Sequence, residues 1–560
     1  MGFGAHSWLE SARHSSSKRF PFQRLTNAVY MQNLPFLSLA IIFFGWLTSA
    51  SAEKPNIIYI LADDLGYGDV QALNPERGKI LTPHMDKVAA DGMTFTDAHT
   101  SSSVCTPTRY SILTGRYNWR TKLQSGVLNG YGSPLISSDR VTVPSFLRDN
   151  GYTTAMIGKW HLGLDLPTTD GKKAKAAKTI SEKVNKGAFL PAELSNVDWK
   201  KIIGGGPVDR GFDSWFGISA SLDFPPYVWI RDRNWVGQGT HPKAFHRPGP
   251  ASEDFEAVEV LDKLAAESVK FIAEYDSEKP FFVYLPLPSP HTPIVPTKKW
   301  QGKSGINSYA DFVMQTDDFV GQVVAALEEK GISENTLLVV TSDNGCSKRA
   351  DFEKLESHGH FASAQYRGSK SDIWEGGHRV PFLVKWPKVI ASGSHSDELT
   401  CQIDLLATCA DLLGKELPEN AGEDSESILP VLKGEKTQFS RKGIIHHSVS
   451  GHFAYREGNH KLILARGSGG WSKPSENKSK AANAPKAQLY DLAADPGEQA
   501  NLYKEQSEVA EKLLARFTEY VNAGASVAGK KSQNDVKHIE TWKTENKKEN
   551  KKKRKKESDK

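Results

Sequence analysis

Cysteine is scarce in this chain, and that scarcity limits the roles it can have. The 560 residues include only four cysteines, Cys105, Cys346, Cys401 and Cys409, which offer little framework for disulfides. Cys401 and Cys409 lie eight residues apart in what the pattern predicts to be one helix, too far along its axis to bond each other. No CxxC spacing of the zinc-site type occurs. The sequence therefore argues against a disulfide-built scaffold and a structural zinc site.

The apolar run at 34–47, LPFLSLAIIFFGWL, is short for a membrane-spanning helix, which needs about 20 apolar residues. Its length is typical of a signal peptide, and the cleavage pattern Ala50-Ser51-Ala52 follows it. We therefore predict a signal-peptide region over 1–52, with Met31 as an alternative start, and no stable membrane span. The mature chain is expected to begin near Glu53 and to be exported to a periplasm or the extracellular space. An uncleaved anchor is the alternative.

Excess charge of one sign is also missing from most of the chain. The formal net charge is +5, and 38% apolar with 24% charged residues is typical of a globular protein. Much of the basic excess lies in 526–560, whose lysine-rich end has almost no apolar content. We predict a disordered, solvated tail there, with contact to an anionic polymer as the alternative. No nucleic-acid partner is expected.

Four apolar, β-branched runs predict strands buried on both faces of a sheet. They lie at 55–62, 152–157, 280–287 and 336–341. Helical patterns alternate with them, at 85–92, 144–150, 256–275 and 309–330. Alternation at crossover distances predicts an α/β fold with a large, mixed, mostly parallel sheet sandwiched by helices.

The pattern changes from about residue 443 to short alternating segments separated by tight turns. It predicts a small antiparallel sheet, which a helix over 507–523 then completes. We therefore divide the mature chain into a catalytic domain, 53–440, and a smaller C-terminal subdomain of antiparallel sheet plus helix, 441–525.

Polar side chains follow each of the four predicted strands. They are Asp63 and Asp64, Lys159 and His161, His291, and Asp343 and Asn344. In open α/β sheets ligands bind outside the carboxyl ends of the strands, so these residues are predicted to form one site. The carboxylate and amide oxygens suit Ca²⁺, or Mg²⁺, rather than zinc or copper.

Basic side chains accompany these oxygens. They are Arg109, Lys159, His161, His291 and Lys370. A metal ion with several cations around one pocket fits a tetrahedral oxyanion ester, and a histidine can protonate its leaving oxygen. Each histidine alone is more often a structural hydrogen-bonding group, but the positions after strands favour a site.

Cys105 lies in the polar segment 101–116, SSSVCTPTRYSILTGR, near the predicted start of a helix and four residues before Arg109. It is either a thiol tuned by that cation or the target of a modifying enzyme. A thiol phosphatase is excluded, because its loop needs five residues between cysteine and arginine and this one has three.

The segment CTPTRYSILTG, Cys105 to Gly115, resembles the signature of the type I, formylglycine-dependent sulfatases. The family's second element, GKWHLG, is present at Gly158 to Gly163. ADDLGYGD, SPHTP, SDNG and GSKSDIWEGGHRVP follow the arylsulfatase pattern in the family's order. The resemblance spans about 55–502 and implies an alkaline phosphatase-like fold.

This resemblance also implies roles. A formylglycine-generating enzyme would convert Cys105 to an aldehyde, whose hydrate attacks sulfur and then collapses to release sulfate. Arg109 would fix this hydrate, and Lys159 and Lys370 would bind sulfate oxygens. His291 would be the acid for the leaving alcohol, and His161 would assist the nucleophile. Calcium would bind Asp63, Asp64, Asp343, Asn344 and the formylglycine at 105. A further serine of the site is expected to be Ser221, with Ser219 close enough to compete.

The preferred substrate is a sulfated small molecule or oligosaccharide, with a sulfated polysaccharide as the favoured class. Two alternatives remain open at this point. One is a phosphate- or phosphonate-ester hydrolase of the same superfamily. The other is a non-catalytic binder of sulfated glycans in which Cys105 stays a thiol.

Overall fold

The computed structural model describes residues 53–176, 194–439, 441–530 and 532–543. The predicted signal-peptide region, 1–52, lies outside the described residues, as does 544–560 of the predicted tail. Within these described ranges, every helix is too short or too polar to cross a bilayer.

The strands are two to seven residues long. They are β1 (Asn56–Ala62), β2 (Met93–Phe95), β3 (Ala98–His99), β4 (Thr153–Lys159), β5 (Ser214–Ile218), β6 (Trp229–Arg231), β7 (Asn234–Val236), β8 (His241–Ala244), β9 (Pro248–Ala251), β10 (Phe281–Pro286), β11 (Thr336–Ser342), β12 (Phe382–Lys385), β13 (Ser394–Ser396), β14 (Thr400–Cys401), β15 (Gly443–His447), β16 (Phe453–Glu457), β17 (His460–Ile463) and β18 (Gln488–Asp491).

The helices range from one turn to six turns. They are α1 (Pro83–Asp91), α2 (Cys105–Thr114), α3 (Val143–Asp149), α4 (Val260–Glu274), α5 (Ser308–Lys330), α6 (Phe352–Ser357), α7 (Glu375–His378), α8 (Leu405–Leu412), α9 (Leu429–Leu432), α10 (Glu476–Ala481) and α11 (Ser507–Ala523).

Ten strands form the main sheet, in the order β13-β2-β12-β11-β1-β10-β4-β5-β6-β7. The five central strands, from β11 to β5, are all parallel, and antiparallel pairs lie toward both edges. The four strands predicted from apolar runs are neighbours at this centre. The prediction of a large, mixed, mostly parallel sheet is confirmed.

Helices cover both faces of the sheet because its central strands are apolar on both sides. In β1, Ile58 and Ile60 belong to one hydrophobic core, together with residues of α4 and α5. Ile57 and Tyr59 of the same strand belong to a second core, together with residues of α2, α3 and α8. The alternation of side chains along a strand explains this division.

The antiparallel sheet predicted near the C-terminus is present, with the order β15-β16-β17-β18. Helix α11 packs on it through Phe517, whose ring centroid lies 5.3 Å from that of Phe453. The same core includes Tyr117 and Trp119, which follow α2 closely in the chain. The C-terminal sheet is thus packed directly against the segment that carries Cys105.

Residues 532–543 also belong to this packing, although 526–560 was predicted to be a disordered tail. The Asp535 N–H donates to the Arg120 carbonyl at 2.9 Å, and Arg116 pairs with the Asp535 carboxylate at 3.0 Å. Arg116 also donates to the Gln533 carbonyl at 2.7 Å. These contacts correct the predicted start of the tail, because buried arginines take their partners from this segment.

Candidate active site

The carboxyl ends of β1 and β11 bring three carboxylates together. The two strands pair in parallel with Ala62 opposite Ser342, so Asp63 and Asp343, the next residue of each strand, lie side by side. Ligand oxygens of Asp63, Asp64 and Asp343 lie within 4.8 Å of one another, and all three side chains are buried. Asp64 has a φ of 68°, a left-handed conformation at the turn where β1 ends.

Cations compensate the negative charge of this cluster. Both Nε and Nη2 of Arg109 donate to Asp343, at 2.9 and 2.7 Å. Lys159 pairs with Asp63, and the Lys370 ammonium lies 2.6 Å from Asp64 Oδ1. Buried charges persist in proteins only when they are paired in this way.

The pKa values of two of these carboxyls differ. Burial acts to raise the pKa of Asp63, but the charges of Lys159 and His291 outweigh it and hold that pKa well below the ordinary value. At Asp343, burial and the neighbouring charge of Asp63 raise the pKa to about 6, against the opposing effect of Arg109. Of these two carboxyls, Asp63 is therefore the stronger acid.

Two oxygens of the cluster have no hydrogen-bond partner in the described chain, namely Oδ1 of Asp63 and Oδ1 of Asn344. Both are buried, and the Asn344 amide nitrogen is already used, since it donates to Asp64 Oδ1 at 2.7 Å. An unpaired buried oxygen is costly unless a ligand binds it. Hard oxygens on one shared centre are the donor set that Ca²⁺ prefers, so these residues fit such an ion.

Cys105 is the first residue of α2, directly after Val104 in extended conformation. Its Sγ, an Asp63 carboxylate oxygen and a His291 ring nitrogen all lie within 4.8 Å of one another. Burial raises the pKa of the Cys105 thiol to about 11, although Lys159 and Lys370 act to lower it. Burial thus outweighs the nearby cations, which argues against a thiol tuned by its neighbouring cation.

The two histidines of the site have different partners. His161 Nε2–H donates to the Leu128 carbonyl at 2.7 Å, and its Nδ1 has no partner among the described residues. Burial, then Lys159 and Arg109, hold the pKa of His161 well below its usual value, so the ring is neutral. His291 Nδ1–H donates to the Thr292 carbonyl at 2.6 Å, and its Nε2 lies 3.7 Å from Asp64 Oδ2.

The two serine candidates lie just after β5. Ser219 and Ser221 are both buried, and both hydroxyls are without a partner in the part of the chain described. The Ser219 carbonyl accepts the backbone N–H of His161 at 3.0 Å, which fixes this segment beside the site.

Sequence reasoning missed two groups that support these side chains. One is the carbonyl of Leu128, which orients His161. The other is Tyr309 of α5, whose hydroxyl contacts the Asp64 carbonyl at 3.0 Å and Asp69 Oδ2 at 2.5 Å. A backbone carbonyl gives no sequence signal, and Tyr309 looks like any apolar-face residue of an amphipathic helix.

Comparison with known proteins agrees with this geometry. A family model described as sulfatase matches residues 55–415, and one described as N-sulphoglucosamine sulphohydrolase, C-terminal, matches 368–523. The chain is similar to an N-acetylgalactosamine-6-O-sulfatase of Bacteroides thetaiotaomicron, with 31% identity over 83% of this chain and 92% of that protein. It is 32% identical to arylsulfatase A of Bos taurus, over 83% of this chain and 86% of the relative.

A solved structure gives the same result. It comes from work on the metabolism of multiple glycosaminoglycans by Bacteroides thetaiotaomicron, and it matches with a TM-score of 0.70 and 30% identity. The match covers 84% of this chain and 99% of that one. Since the family model spans well over half of the chain, the chain belongs to the sulfatase family of the alkaline phosphatase-like superfamily and is a sulfuric ester hydrolase.

Proposed function

We propose that the protein cleaves a sulfate ester of a sulfated carbohydrate, with a formylglycine made from Cys105 as nucleophile and a bound Ca²⁺ ion. One observation carries the proposal. Cys105 lies in a buried cluster with a carboxylate, Asp63, and a histidine, His291, where burial raises the pKa of its thiol. That arrangement suits a precursor for modification better than a thiolate nucleophile.

Formylglycine would supply a hydrated aldehyde, whose second hydroxyl allows sulfate to leave. Cys105 is 3% exposed, and every residue of α2 is buried. A modifying enzyme needs an extended peptide, so we infer that a formylglycine-generating enzyme acts on the 105–109 segment before the chain folds. Arg109, held by two hydrogen bonds to Asp343, would then fix the modified residue.

The cations of the cluster are suited to bind sulfate. Lys159 and Lys370 are both buried, and each is already oriented by a carboxylate, Asp63 or Asp64. Such preorganised charges stabilise a developing negative charge without reorganisation at the moment of reaction. Ser221, or Ser219, would add a hydroxyl donor to a substrate oxygen.

The histidine contacts suggest how protons are handled. Because His291 Nδ1–H is bound to Thr292, its Nε2 is the atom that would hold the proton for the leaving alcohol. His161 is neutral, with Nε2–H bound to Leu128, so its Nδ1 would accept a hydrogen bond from the nucleophile's hydroxyl. The two rings thus have complementary roles.

Calcium would be held by the oxygens of Asp63, Asp64, Asp343 and Asn344, together with the modified residue 105. When bound there, Ca²⁺ supplies positive charge to the reacting ester. The unpaired oxygens of Asp63 and Asn344 support this assignment. Mg²⁺ suits the same oxygen donors, so a metal titration has to compare the two ions.

A carbohydrate substrate is supported by similar proteins. One relative is named an N-acetylgalactosamine-6-O-sulfatase, and a similar structure comes from work on glycosaminoglycan metabolism. The signal-peptide pattern before Glu53 fits an exported enzyme that meets such polymers outside the cytoplasm.

Two measurements on purified protein test the proposal. The mass of the tryptic peptide that contains residue 105 should be about 18 Da lower than that of the thiol form. The protein should release sulfate from sulfated saccharides, lose this activity on calcium chelation, and regain it with Ca²⁺ more fully than with Mg²⁺. Faster turnover of phosphonates or phosphate monoesters than of any sulfate ester would contradict the proposal, and so would a peptide that remains a thiol in an active preparation.

A further inference from the structure

A cavity of about 440 Å³ lies beside the candidate active site. One wall is the 122–133 loop and the other is the segment 173–175. Its lining residues are Lys122, Val127, Leu128, Asn129, Tyr131 and Gly132, with Ser133 and the three residues 173–175. Ligand-binding clefts in proteins commonly have volumes of this order.

Leu128 joins this cavity to the site. Its carbonyl accepts the Nε2–H of His161 at 2.7 Å. Its N–H donates at 3.2 Å to the hydroxyl of Thr106, the residue next to Cys105. The same hydroxyl donates to the His161 carbonyl at 3.1 Å. One lining residue of the cavity, Leu128, therefore contacts both His161 and the residue next to the proposed nucleophile.

The charge of the cavity is entirely positive. Lys122, Lys173 and Lys175 line it, and no acidic residue does. None of the three forms an ion pair with a described carboxylate, and Lys122 donates only to the Pro134 carbonyl, at 3.3 Å. Lysines that converge on a concave surface without carboxylate partners create a positive potential that attracts anions.

The backbone that presents two of these lysines is fixed. Asn196 donates to the Lys173 carbonyl at 3.1 Å and accepts the Lys175 N–H at 2.9 Å. Ser195 donates to the Lys175 carbonyl at 3.1 Å. Leu194 and Val197, which flank Ser195 and Asn196 in the chain, are buried. The two ammonium groups are thus carried by an anchored segment, although their side chains reach solvent.

We propose that this cavity binds a second anionic group of the substrate, a sulfate or a carboxylate, on the same carbohydrate chain whose sulfate ester is cleaved. The inference rests on the proposed function and narrows it to multiply charged oligosaccharides. Lys173 and Lys175 are then residues that determine specificity through ionic contacts, with Lys122 on the facing wall. The sulfate being cleaved binds Lys159 and Lys370, so the two anions occupy separate places.

The test compares two kinds of substrate in three proteins. The substrates are a monosulfated monosaccharide and oligosaccharides that carry the same ester plus either a second sulfate or a uronic carboxylate. The proteins are the wild type, the double variant Lys173→Ala with Lys175→Ala, and the control Lys200→Ala with Lys201→Ala. The control removes the same charge from exposed lysines that do not line the cavity.

The measured quantity is the ratio of kcat/KM for the charged oligosaccharide to that for the monosaccharide. We expect the cavity variant to lower this ratio by about fivefold to tenfold, as the loss of two solvent-accessible ion pairs would. The control should keep the wild-type ratio. Added salt should reduce the ratio in the wild type and in the control more than in the cavity variant.

Binding provides a readout that does not depend on turnover. A Cys105→Ala protein should bind the uncleaved charged oligosaccharide. The two cavity substitutions in that background should raise the Kd for this oligosaccharide by a similar factor. Equal ratios and equal Kd values in cavity variant and control would overturn the inference. A wild-type protein that releases no sulfate from any ester, yet binds as described, would instead contradict the proposed function.

Discussion

At the scale of single residues, Cys105 and Cys409 form a natural comparison. Both thiols are buried, and burial raises the pKa of Cys409 to about 12 and that of Cys105 to about 11. The difference lies in their surroundings. Lys159, Lys370 and Asp63 act on Cys105, whereas only burial acts on Cys409. The environment, rather than the acidity of the thiol, distinguishes the proposed catalytic position.

This comparison gives a prediction. Cys105→Ala should fold and lower sulfate release by roughly 10³-fold or more, because the nucleophile is lost. Cys409→Ala should keep its activity and lose about 1 kcal/mol of unfolding free energy through a small cavity in the core. Sulfate release and urea denaturation measure the two effects. Comparable activity in the two variants would remove Cys105 from the mechanism.

At the scale of elements, β4 connects backbone geometry to the site. It ends at Lys159, and Gly158 just before it has a φ of 140°. A Cβ at Gly158 would lie 2.1 Å from the Pro286 carbonyl oxygen of β10. Gly151, two residues before the strand, also has a positive φ, but a Cβ there would meet nothing within 4 Å. A side chain at Gly151 would therefore cause only backbone strain, whereas one at Gly158 would also overlap with β10.

We therefore expect different results for alanine at these positions. Gly151→Ala should cost about 1 kcal/mol of stability through backbone strain and leave kcat unchanged. Gly158→Ala should cost about 3 kcal/mol and also lower kcat, because β4 has to shift away from β10 and carries Lys159 with it. Thermal denaturation and steady-state kinetics distinguish the two. A Gly158→Ala protein with full activity would show that the strand end tolerates displacement.

A comparison of the strands shows which of them could be predicted from the sequence alone. The runs at β1, β4, β10 and β11 were predicted because parallel strands buried on both faces are continuously apolar. By contrast, β8 and β9 lie on a partly exposed ribbon, and β9 contains Pro248 and Pro250, so neither carries a strand pattern. The two strands pair with each other as a short hairpin, and this pairing does not come from local strand propensity.

Some residues of the candidate site could also be predicted from the sequence, and others could not. Charged side chains after strand ends could be predicted, because parallel strands deliver their carboxyl ends to one edge of the sheet. Leu128 could not, since it contributes a carbonyl that every residue has. The late start of the tail could not be predicted either, because Asp535 finds its partner Arg116 only in the folded chain.

At the scale of the whole molecule, the C-terminal sheet is coupled to the loop that carries Lys370. The Ser472 N–H donates to Asp372 at 2.9 Å, and the Ile373 N–H donates to the Ser468 carbonyl at 2.8 Å. Lys461 of β17 lies between Glu375 and Glu498, at 3.0 and 2.9 Å, with all three side chains fully buried. The position of Lys370 thus depends on residues nearly a hundred positions later.

A substitution at Lys461 tests this coupling. Lys461→Met should lower the unfolding free energy by about 3 kcal/mol or more, because the buried Glu498 carboxylate loses its cation and the Glu375 carboxylate keeps Arg379. It should also lower kcat, since the neighbouring 370–373 loop loses its support. Lys385→Met, which removes a more exposed pair with Asp91, should cost less than about 1 kcal/mol and keep kcat. Similar losses in both variants would argue against the coupling.

The pH dependence of stability is also a property of the whole fold, because buried groups oppose one another. Burial holds the pKa values of His378 and His446 well below the usual range, which makes acid destabilising. Burial raises the pKa of Glu498 to about 7 and that of Asp404 to about 6, which offsets part of this effect. The contribution of a single histidine to the pH dependence of stability is therefore best measured by comparing the wild type with a variant that lacks that histidine.

His447, at the end of β15, is suited to that comparison. Burial, then Lys543 and His452, lower its pKa to about 3, while in the unfolded chain it titrates near the ordinary 6.5. Below pH 6.5 the unfolded chain therefore binds one more proton, and the stability this group gives at neutral pH is lost as pH falls toward 3. His447→Phe removes the proton site and keeps a ring against Phe453, 4.9 Å away between centroids.

Between pH 6.5 and 4.5, the wild type should lose about 2 kcal/mol more unfolding free energy than the His447→Phe variant. Urea denaturation at several pH values measures this as a difference in slope, which is insensitive to any constant cost of the substitution. The difference should vanish above pH 7.5, where His447 is neutral in both states. Parallel curves over the whole range would show that His447 is protonated to the same extent in the folded and unfolded chains.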